Sequence, residues 1–417
     1  MRIAAYADLA EPRPERDGFL DPQPRDTFAD ALAALPLDDL LALARDAGPA
    51  RVDRALGLPP LERTLEDLAA LLSPAAGARL EEMARASRRL TLARFGSTMH
   101  LYAPLYLSNE CLTTCTYCGF AKNLSVERRT LREEETVVEA RHLLGQGFRS
   151  LLLLTGEHER DTGVDFLERH IERLRRSVPQ IAIEVQVWSE REYRRLREAG
   201  CEAVVIYQET YHPARYAEVH VAGRKKDYRW RLLGPERAAR AGMRRVGVGA
   251  LLGLHDDWRE EAIVTAAHAR FLMRRYWRTQ VTVSVPRMRP SASGFQPRVV
   301  VGDRELAQLV CAFRLGMPDA GIVLSTREPA ALRDGFHRIG VTHTSAGSHT
   351  EPGGYEHPGE AQEQFEIADH RSPAEVAASL RAMGYDPVWE DPATPEGMSR
   401  GLARARANAP IASEALR

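Results

Sequence analysis

From Thr98 onward the chain alternates short apolar runs with amphipathic segments, and it keeps doing so past residue 340. This pattern constrains the fold more than any other feature. The runs Met99–Leu107, Ser150–Leu154, Ile181–Val187, Ala203–Tyr207, Arg245–Leu251, Val281–Val285, Ile322–Ser325 and Val341–Thr344 predict strands. Apolar residues at helical spacing predict helices over 133–144, 166–176, 190–198, 236–241, 262–276, 304–313 and 330–338. Gly147, Gly200 and Gly242 fall where left-handed helix C-caps are needed. Strands that are nearly continuously apolar, each followed by a helix, form a parallel sheet covered on both faces. Eight such units predict an α/β fold, a (β/α)8 TIM-like barrel, although a partial barrel or a doubly wound sheet would give a similar string.

Three regions follow from the pattern: a helical N-terminal extension over 1–95, the barrel over 96–350, and a C-terminal extension over 351–417 that packs on the barrel. In the first region, 38–45 and 66–72 carry helical periodicity, and Pro74 suits the first turn of a helix running through Leu80 and Met83. The first thirty residues, rich in Pro, Arg and Asp, are expected to be poorly ordered. A further helix is expected near 373–383. With 57 Lys and Arg against 58 Asp and Glu, the net charge of −1 gives no general attraction to nucleic acid or an anionic membrane. Apolar runs such as 150–155 are too short to span a bilayer, and no apolar signal core follows Met1. A cytoplasmic protein is the expectation.

Cysteine usage narrows the chemistry. Of five cysteines, Cys111, Cys115 and Cys118 lie within eight positions in Asn109-Glu-Cys-Leu-Thr-Thr-Cys-Thr-Tyr-Cys-Gly-Phe120, directly after the first predicted strand. Barrel enzymes build their sites at that end of the strands. Three thiolates at this spacing can hold three irons of a [4Fe–4S] cubane and leave the fourth open to an exogenous ligand, whereas electron-transfer clusters use four protein cysteines. A zinc site would need a fourth Cys or His, and His100 sits within a strand where it does not converge on the others. Cys201 and Cys311 stand alone among apolar neighbours and read as small buried hydrophobes.

The cysteine run, with Tyr117 before its last cysteine, resembles the radical S-adenosylmethionine (SAM) superfamily. The wider set is similar to the 2-iminoacetate synthases, the tyrosine lyases of thiamin biosynthesis. That set includes Leu105-Tyr-Leu-Ser-Asn-Glu110, Thr155-Gly-Glu-His158, Glu184-Val-Gln186, Tyr207-Gln-Glu-Thr-Tyr211, Leu324-Ser-Thr-Arg-Glu328 and Pro352-Gly-Gly-Tyr355, and spans about residues 55 to 400. The resemblance implies a [4Fe–4S] cluster on Cys111, Cys115 and Cys118, with SAM bound near Tyr117, Glu157, Gln186 and Glu209. Glu157 would accept a hydrogen bond from the SAM amino group, a charge-assisted contact. Substrate contacts would come from Arg327, whose planar guanidinium suits a carboxylate, and from Tyr106 and Ser345 around the amino group. Against these roles stand ordinary ones: a solvated arginine, barrel packing, a loop acid. Histidines 158 and 212 remain unassigned.

The implied reaction cleaves the Cα–Cβ bond of L-tyrosine to 2-iminoacetate and p-cresol. The implied partners are a reductant such as flavodoxin or ferredoxin, and thiazole synthase. Where relatives continue Glu-Val-Gln with Pro-Leu, this chain has Val187-Trp188, which is expected to reshape the SAM pocket. The alternatives are a tryptophan lyase making an indole carboxylic acid and a non-catalytic metal-binding scaffold. A hydrogenase-maturation tyrosine lyase is disfavoured, because no cysteine follows Cys311.

Overall fold

A computed structural model describes residues 26–390. Of the thirty N-terminal residues expected to be poorly ordered, 1–25 lie outside the described residues. Thr27 already caps a helix at Phe28–Ala33, its hydroxyl accepting from the Asp30 amide while the Asp30 carboxylate accepts from the Thr27 N–H.

Eight strands form the barrel: β1 (Thr98–Ser108), β2 (Ser150–Thr155), β3 (Gln180–Glu184), β4 (Ala203–Glu209), β5 (Arg245–Ala250), β6 (Gln280–Ser284), β7 (Gly321–Leu324) and β8 (His343–Ser345). All are parallel and neighbours in chain order, and β8 returns to β1 through His100↔His343 and Tyr102↔Ser345, closing the sheet. The alternating side-chain direction of strands explains the sequence pattern. Ala103, Leu105, Leu107, Leu151, Leu153, Ile181 and Ile183 face outward into the main core shared with the helices. Tyr106, Leu152, Leu154, Ala182 and Ala203 form a separate cluster inside the barrel. Gly249 is required here, because a Cβ would stand 1.8 Å from the Ser284 carbonyl oxygen and 2.8 Å from the Tyr207 ring.

The helices between Phe28 and Phe95 bury Phe28, Leu40, Leu41 and Leu68 in that same main core. The Phe28 ring stacks on His268 at 4.0 Å, and Gly316 leaves room for Leu68. After β8 the chain crosses the C-terminal ends of the strands. Backbone hydrogen bonds join Gln364 to Gly119, Glu366 to Pro290 and Ala368 to Thr326, tying together the loops after β1, β6 and β7. A helix at Pro373–Ala382 and a short strand β9 (Asp386–Val388) follow, and β9 pairs with the start of β1.

Three local features depart from the sequence reading. The strand expected over 181–187 stops at Glu184. Strand β9 and the antiparallel pair Thr114–Cys115 with His220–Ala222 are too short to show a period. The chain between β4 and β5 carries extra helices at Pro213–Val219 and Tyr228–Leu232.

The crossing segment is anchored by a buried ion pair. Arg333 meets Asp369 with both side chains 0% exposed, and also donates to Thr344 Oγ1 and the Ser345 carbonyl. Burial opposes ionisation of Asp369, but Arg371 and Arg333 outweigh it and hold the carboxyl at about 2. Since that lies below the ordinary value of about 3.9, the stability it contributes is present above about pH 4 and lost as pH falls towards 2. Asp369→Ala should cost about 3–5 kcal/mol by leaving Arg333 unpaired. Urea unfolding across acidic pH checks this, and the variant should lose that part of the wild-type acid dependence.

Candidate active site

The cysteine loop leaves β1 through a register shift between Tyr106 and Ser108, so the chain turns over the barrel mouth. Its frame is polar. Buried Asn109 donates to the Glu127 carbonyl at 2.8 Å and accepts from the Arg129 amide at 2.7 Å. The Arg128 guanidinium donates to the carbonyls of Asn109, Phe120 and Ala121 at 2.6–2.8 Å. Gly156, just after β2, permits the closest approach: a Cβ there would stand 2.2 Å from the Glu110 carbonyl oxygen and 3.0 Å from Cys111 Cβ.

Thr113 Oγ1 lies 3.0 Å from Cys111 Sγ and 3.5 Å from Cys115 Sγ, while the Phe120 N–H donates to Cys118 Sγ at 3.4 Å. Burial pushes the Cys115 thiol up to about 12 and the Cys118 thiol up to about 11, so they become thiolates only against a cation. Among the described residues, only His212, His255 and Glu260 bring three potential ligand atoms within 4.8 Å of one another. The cysteine sulfurs are therefore spread more widely than one zinc ion with 2.3 Å bonds can bridge. The neighbouring His220 offers no ligand. Its Nδ1–H donates to the Tyr216 carbonyl at 2.9 Å, and Nε2 accepts from the Tyr117 hydroxyl at 2.9 Å. Burial, with Lys225 and Arg231, pushes its pKa well below the ordinary value and keeps it neutral. Three cysteines with no fourth ligand grouped with them among the described residues are the donor set of a cubane with one open iron.

Beside the cysteine loop lies a buried charge network. Arg231 Nη1 is 3.1 Å from Glu157 Oε1, and Lys225 Nζ is 2.7 Å from Glu209 Oε1. Arg231 also reaches Glu209 at 3.5 Å and donates through Nε to the Tyr207 carbonyl at 2.6 Å. Burial works to raise the Glu209 pKa, but Lys225 and Arg231 hold it below the usual carboxylate range. Glu209 has φ +71°, a left-handed backbone unusual for a non-glycine residue, at a register shift that ends β4.

Gln186 is buried, and its Oε1 has no hydrogen-bond partner among the described residues. It lines a side cavity with Glu157, Val187, Trp230 and Arg231. The expectation for Trp188 is overturned: that side chain packs in the outer core between sheet and helices. Trp230 walls the side cavity instead, donating to the Val187 carbonyl at 3.2 Å.

The main cavity opens at the barrel mouth and has about 960 Å³ of free space, counting the opening. Tyr106, Tyr117, Cys118, Glu209, Arg327 and Ser345 all line it. The Arg327 guanidinium stacks over Phe365, 3.3 Å from the ring centroid, and no carboxylate among the described residues pairs with it. The Tyr106 hydroxyl donates to Gln364 Oε1 at 2.7 Å, and Ser345 Oγ accepts from the Thr326 amide at 3.2 Å.

Comparison with known proteins follows this geometry. Residues 105–267 match the radical SAM superfamily, and 284–386 match the biotin and thiamin synthesis associated domain. The chain is 43% identical over 365 residues to the 2-iminoacetate synthase of Escherichia coli (strain K12), covering 88% of this chain and 96% of that one. It belongs to the 2-iminoacetate synthase family. Among solved structures, the [FeFe]-hydrogenase maturase HydG is similar with a TM-score of 0.80 and 30% identity, covering 89% of this chain and 84% of that one. Methylornithine synthase shares the fold, with a TM-score of 0.64 at 22% identity. Members of the radical SAM superfamily use a [4Fe–4S] cluster and SAM, and the donor set above fits that pair.

Of the ten site residues expected from the sequence, the structure brings Tyr106, Tyr117, Cys118, Glu209, Arg327 and Ser345 to the main cavity, Cys111 and Cys115 to the same loop as Cys118, and Glu157 and Gln186 to the adjoining side cavity. Sequence reasoning missed Glu184, Lys225, Arg231 and Gln364. Glu184 was visible as the one acid at the end of a strand in an otherwise apolar run. Lys225 and Arg231 lie among many surface cations in the sequence and carry no such signal. The unassigned histidines cap turns: His158 Nδ1 accepts from the Asp161 amide and His212 Nδ1 from the Arg215 amide.

The close approach at Gly156 is testable without activity. Gly156→Ala should displace Glu110 and Cys111 and lower the iron bound on anaerobic reconstitution below the about four per chain expected of the wild type. Far-UV circular dichroism should stay that of the intact barrel. Full iron loading in the variant would show that the loop tolerates the displacement.

Proposed function

We propose that this chain is a 2-iminoacetate synthase that splits L-tyrosine at Cα–Cβ into 2-iminoacetate and p-cresol, with 5′-deoxyadenosine and methionine formed from SAM. One observation carries the reading: Cys118 of the cysteine loop and Arg327 beyond β7 line the same cavity. When bound, the cluster and SAM supply a 5′-deoxyadenosyl radical that removes hydrogen from the substrate. The chain's own residues position and enclose. Cys111, Cys115 and Cys118 hold the cluster, while Tyr117, Glu157, Gln186 and Glu209 hold SAM.

Arg327, already flat against Phe365, presents its remaining donors to the substrate carboxylate. Tyr106 and Ser345 keep the amino group facing the cysteine loop. The crossing segment at 362–369 keeps water from the reacting atoms, which protects both the radical and the hydrolysable imine. An external one-electron donor of the flavodoxin or ferredoxin class feeds the reaction, and thiazole synthase takes the imine.

Anaerobic incubation of reconstituted protein with SAM, dithionite and tyrosine should give p-cresol and glyoxylate, the imine's hydrolysis product, in step with 5′-deoxyadenosine. An indole carboxylic acid from tryptophan as the main product would move the chain to the tryptophan lyases. Arg327→Ala removes a bidentate charge pair and should cost on the order of 2–5 kcal/mol of tyrosine binding. That is roughly 30-fold to several thousand-fold in affinity. Tyrosine-independent SAM cleavage should persist, and Arg327→Lys should restore only part of the loss. Unchanged tyrosine affinity in Arg327→Ala would require another residue for the carboxylate.

A further inference from the structure

Glu184 is the last residue of β3, and its side chain faces the main cavity. It also borders a narrower space beneath, lined by Tyr102, Tyr207 and Leu152, so it sits at the floor of the main cavity. Strand β3 lies four strands from β7 around an eight-stranded ring, which puts Glu184 on the wall opposite Arg327. A tyrosine whose carboxylate rests on Arg327 extends its phenol across the barrel to that wall.

The polar groups around Glu184 are committed elsewhere. Tyr102 bonds to Ser345, Tyr207 to Ser284, and Tyr106 to Gln364. Glu209 is locked against Lys225 and Arg231. No hydrogen bond reaches the Glu184 carboxylate among the described residues. Of the two acids lining the cavity, Glu184 is thus the one with free acceptor oxygens.

We propose that Glu184 is the catalytic base for the substrate phenol, taking its proton as the Cα–Cβ bond breaks. This rests on the tyrosine lyase reading above. The phenol O–H bond breaks, the proton moves to a Glu184 carboxylate oxygen, and the O–H electron pair stays on the substrate oxygen. Homolysis of Cα–Cβ then leaves the ring fragment with one unpaired electron and one negative charge, which the phenolate oxygen shares through the ring. One electron from the external donor and two protons complete p-cresol. Glu184 returns one proton, and water provides the other.

The surroundings tune the group for this exchange. Burial and the charge of Glu209 raise its pKa to about 7, against the opposing pull of Arg327, Lys225 and Arg231. A base that titrates near the working pH can take a proton and give it back. As an acid with a raised pKa, it is active above about 7 and protonated below, so turnover of tyrosine should fall as pH drops through that value.

The test compares tyrosine with 3,5-difluorotyrosine, whose fluorines make the phenol acidic enough to ionise without help. Wild-type protein with tyrosine is the control for the parent reading: if it makes no p-cresol, that reading fails and this proposal falls with it. Given p-cresol there, Glu184→Gln should still cleave SAM in the presence of tyrosine, yet release p-cresol at least about 100-fold more slowly. Difluorotyrosine should recover most of that loss, and Glu184→Asp should recover part of it.

A variant equally slow with both substrates would mark Glu184 as structural, and undiminished p-cresol would make it dispensable. Loss of SAM binding would assign it to the nucleoside. Each of these outcomes overturns the proposal. If Glu184→Gln does not fold, the wild type alone decides. Its rate ratio of 2,3,5,6-tetrafluorotyrosine, whose phenol stays ionised well below neutral pH, to tyrosine should rise as pH falls below about 7, and a flat ratio overturns the proposal.

Discussion

Arg231 is the group on which the rest of the site depends. It arrives from a short helix far from the cysteines in sequence, yet it spans Glu157 after β2 and Glu209 at the end of β4, and holds the Tyr207 carbonyl as well. With Lys225 it sets two cations against two acids in a nearly water-free space. Burying any one of these charges alone would be costly, and removing one leaves its partners uncompensated. The four are therefore coupled, and the loops that carry them hold their places together. The left-handed Glu209 backbone persists because this network over-determines it. Lys225 follows the strand His220–Ala222 that pairs with Cys115, so the same network also registers the cysteine loop against the barrel.

The barrel interior is asymmetric. Near the mouth, β1 and β4 send in Tyr106 and Tyr207, while beneath them β3, β4 and β5 send in Ala182, Ala203 and Gly247. These small side chains leave the narrower space that Glu184, Tyr102 and Tyr207 border. A uniformly large interior would pack solid, as barrel interiors usually do. The glycines are fixed by contact: at Gly249 a side chain would overlap the Ser284 carbonyl and the Tyr207 ring.

The fold was legible because its signal is long and repeated. Each barrel strand falls within a few residues of its apolar run, and Gly147, Gly200 and Gly242 do take positive φ at helix ends. The three-cysteine loop was legible because its chemistry needs close spacing in sequence. What escaped were features whose meaning depends on contacts distant in sequence. Arg231 is one arginine among many until Glu157, 74 positions away, is seen against it. Trp188 looked like a change to the pocket, but the strand ends at Glu184, its alternation no longer holds beyond that point, and the side chain packs in the outer core, while Trp230 from a later helix lines the space instead. Gln364 lies in a Gly- and Pro-rich tail with no periodicity to mark it.

Gln364 shows how the tail joins the chemistry. Its Oε1 accepts from the Tyr106 hydroxyl at 2.7 Å, and its Nε2 lies 4.0 Å from Cys118 Sγ. Its backbone carbonyl takes the Gly119 N–H, and Gly119 has no room for a side chain because the carbonyls of Glu363 and Gln364 stand 2.7 Å from where a Cβ would be. One residue of the crossing segment thus touches Cys118, Tyr106 and the backbone of the cysteine loop. The anchor for this segment is the buried Arg333–Asp369 pair, five residues further on and tied to β8. A roof held at one end by a buried charge pair and at the other by backbone hydrogen bonds to the cysteine loop has little freedom to swing. Any movement of the roof then requires the loops after β1, β6 and β7 to move with it, because its hydrogen bonds bind all three. This coupling makes the width of the opening a property of the whole mouth.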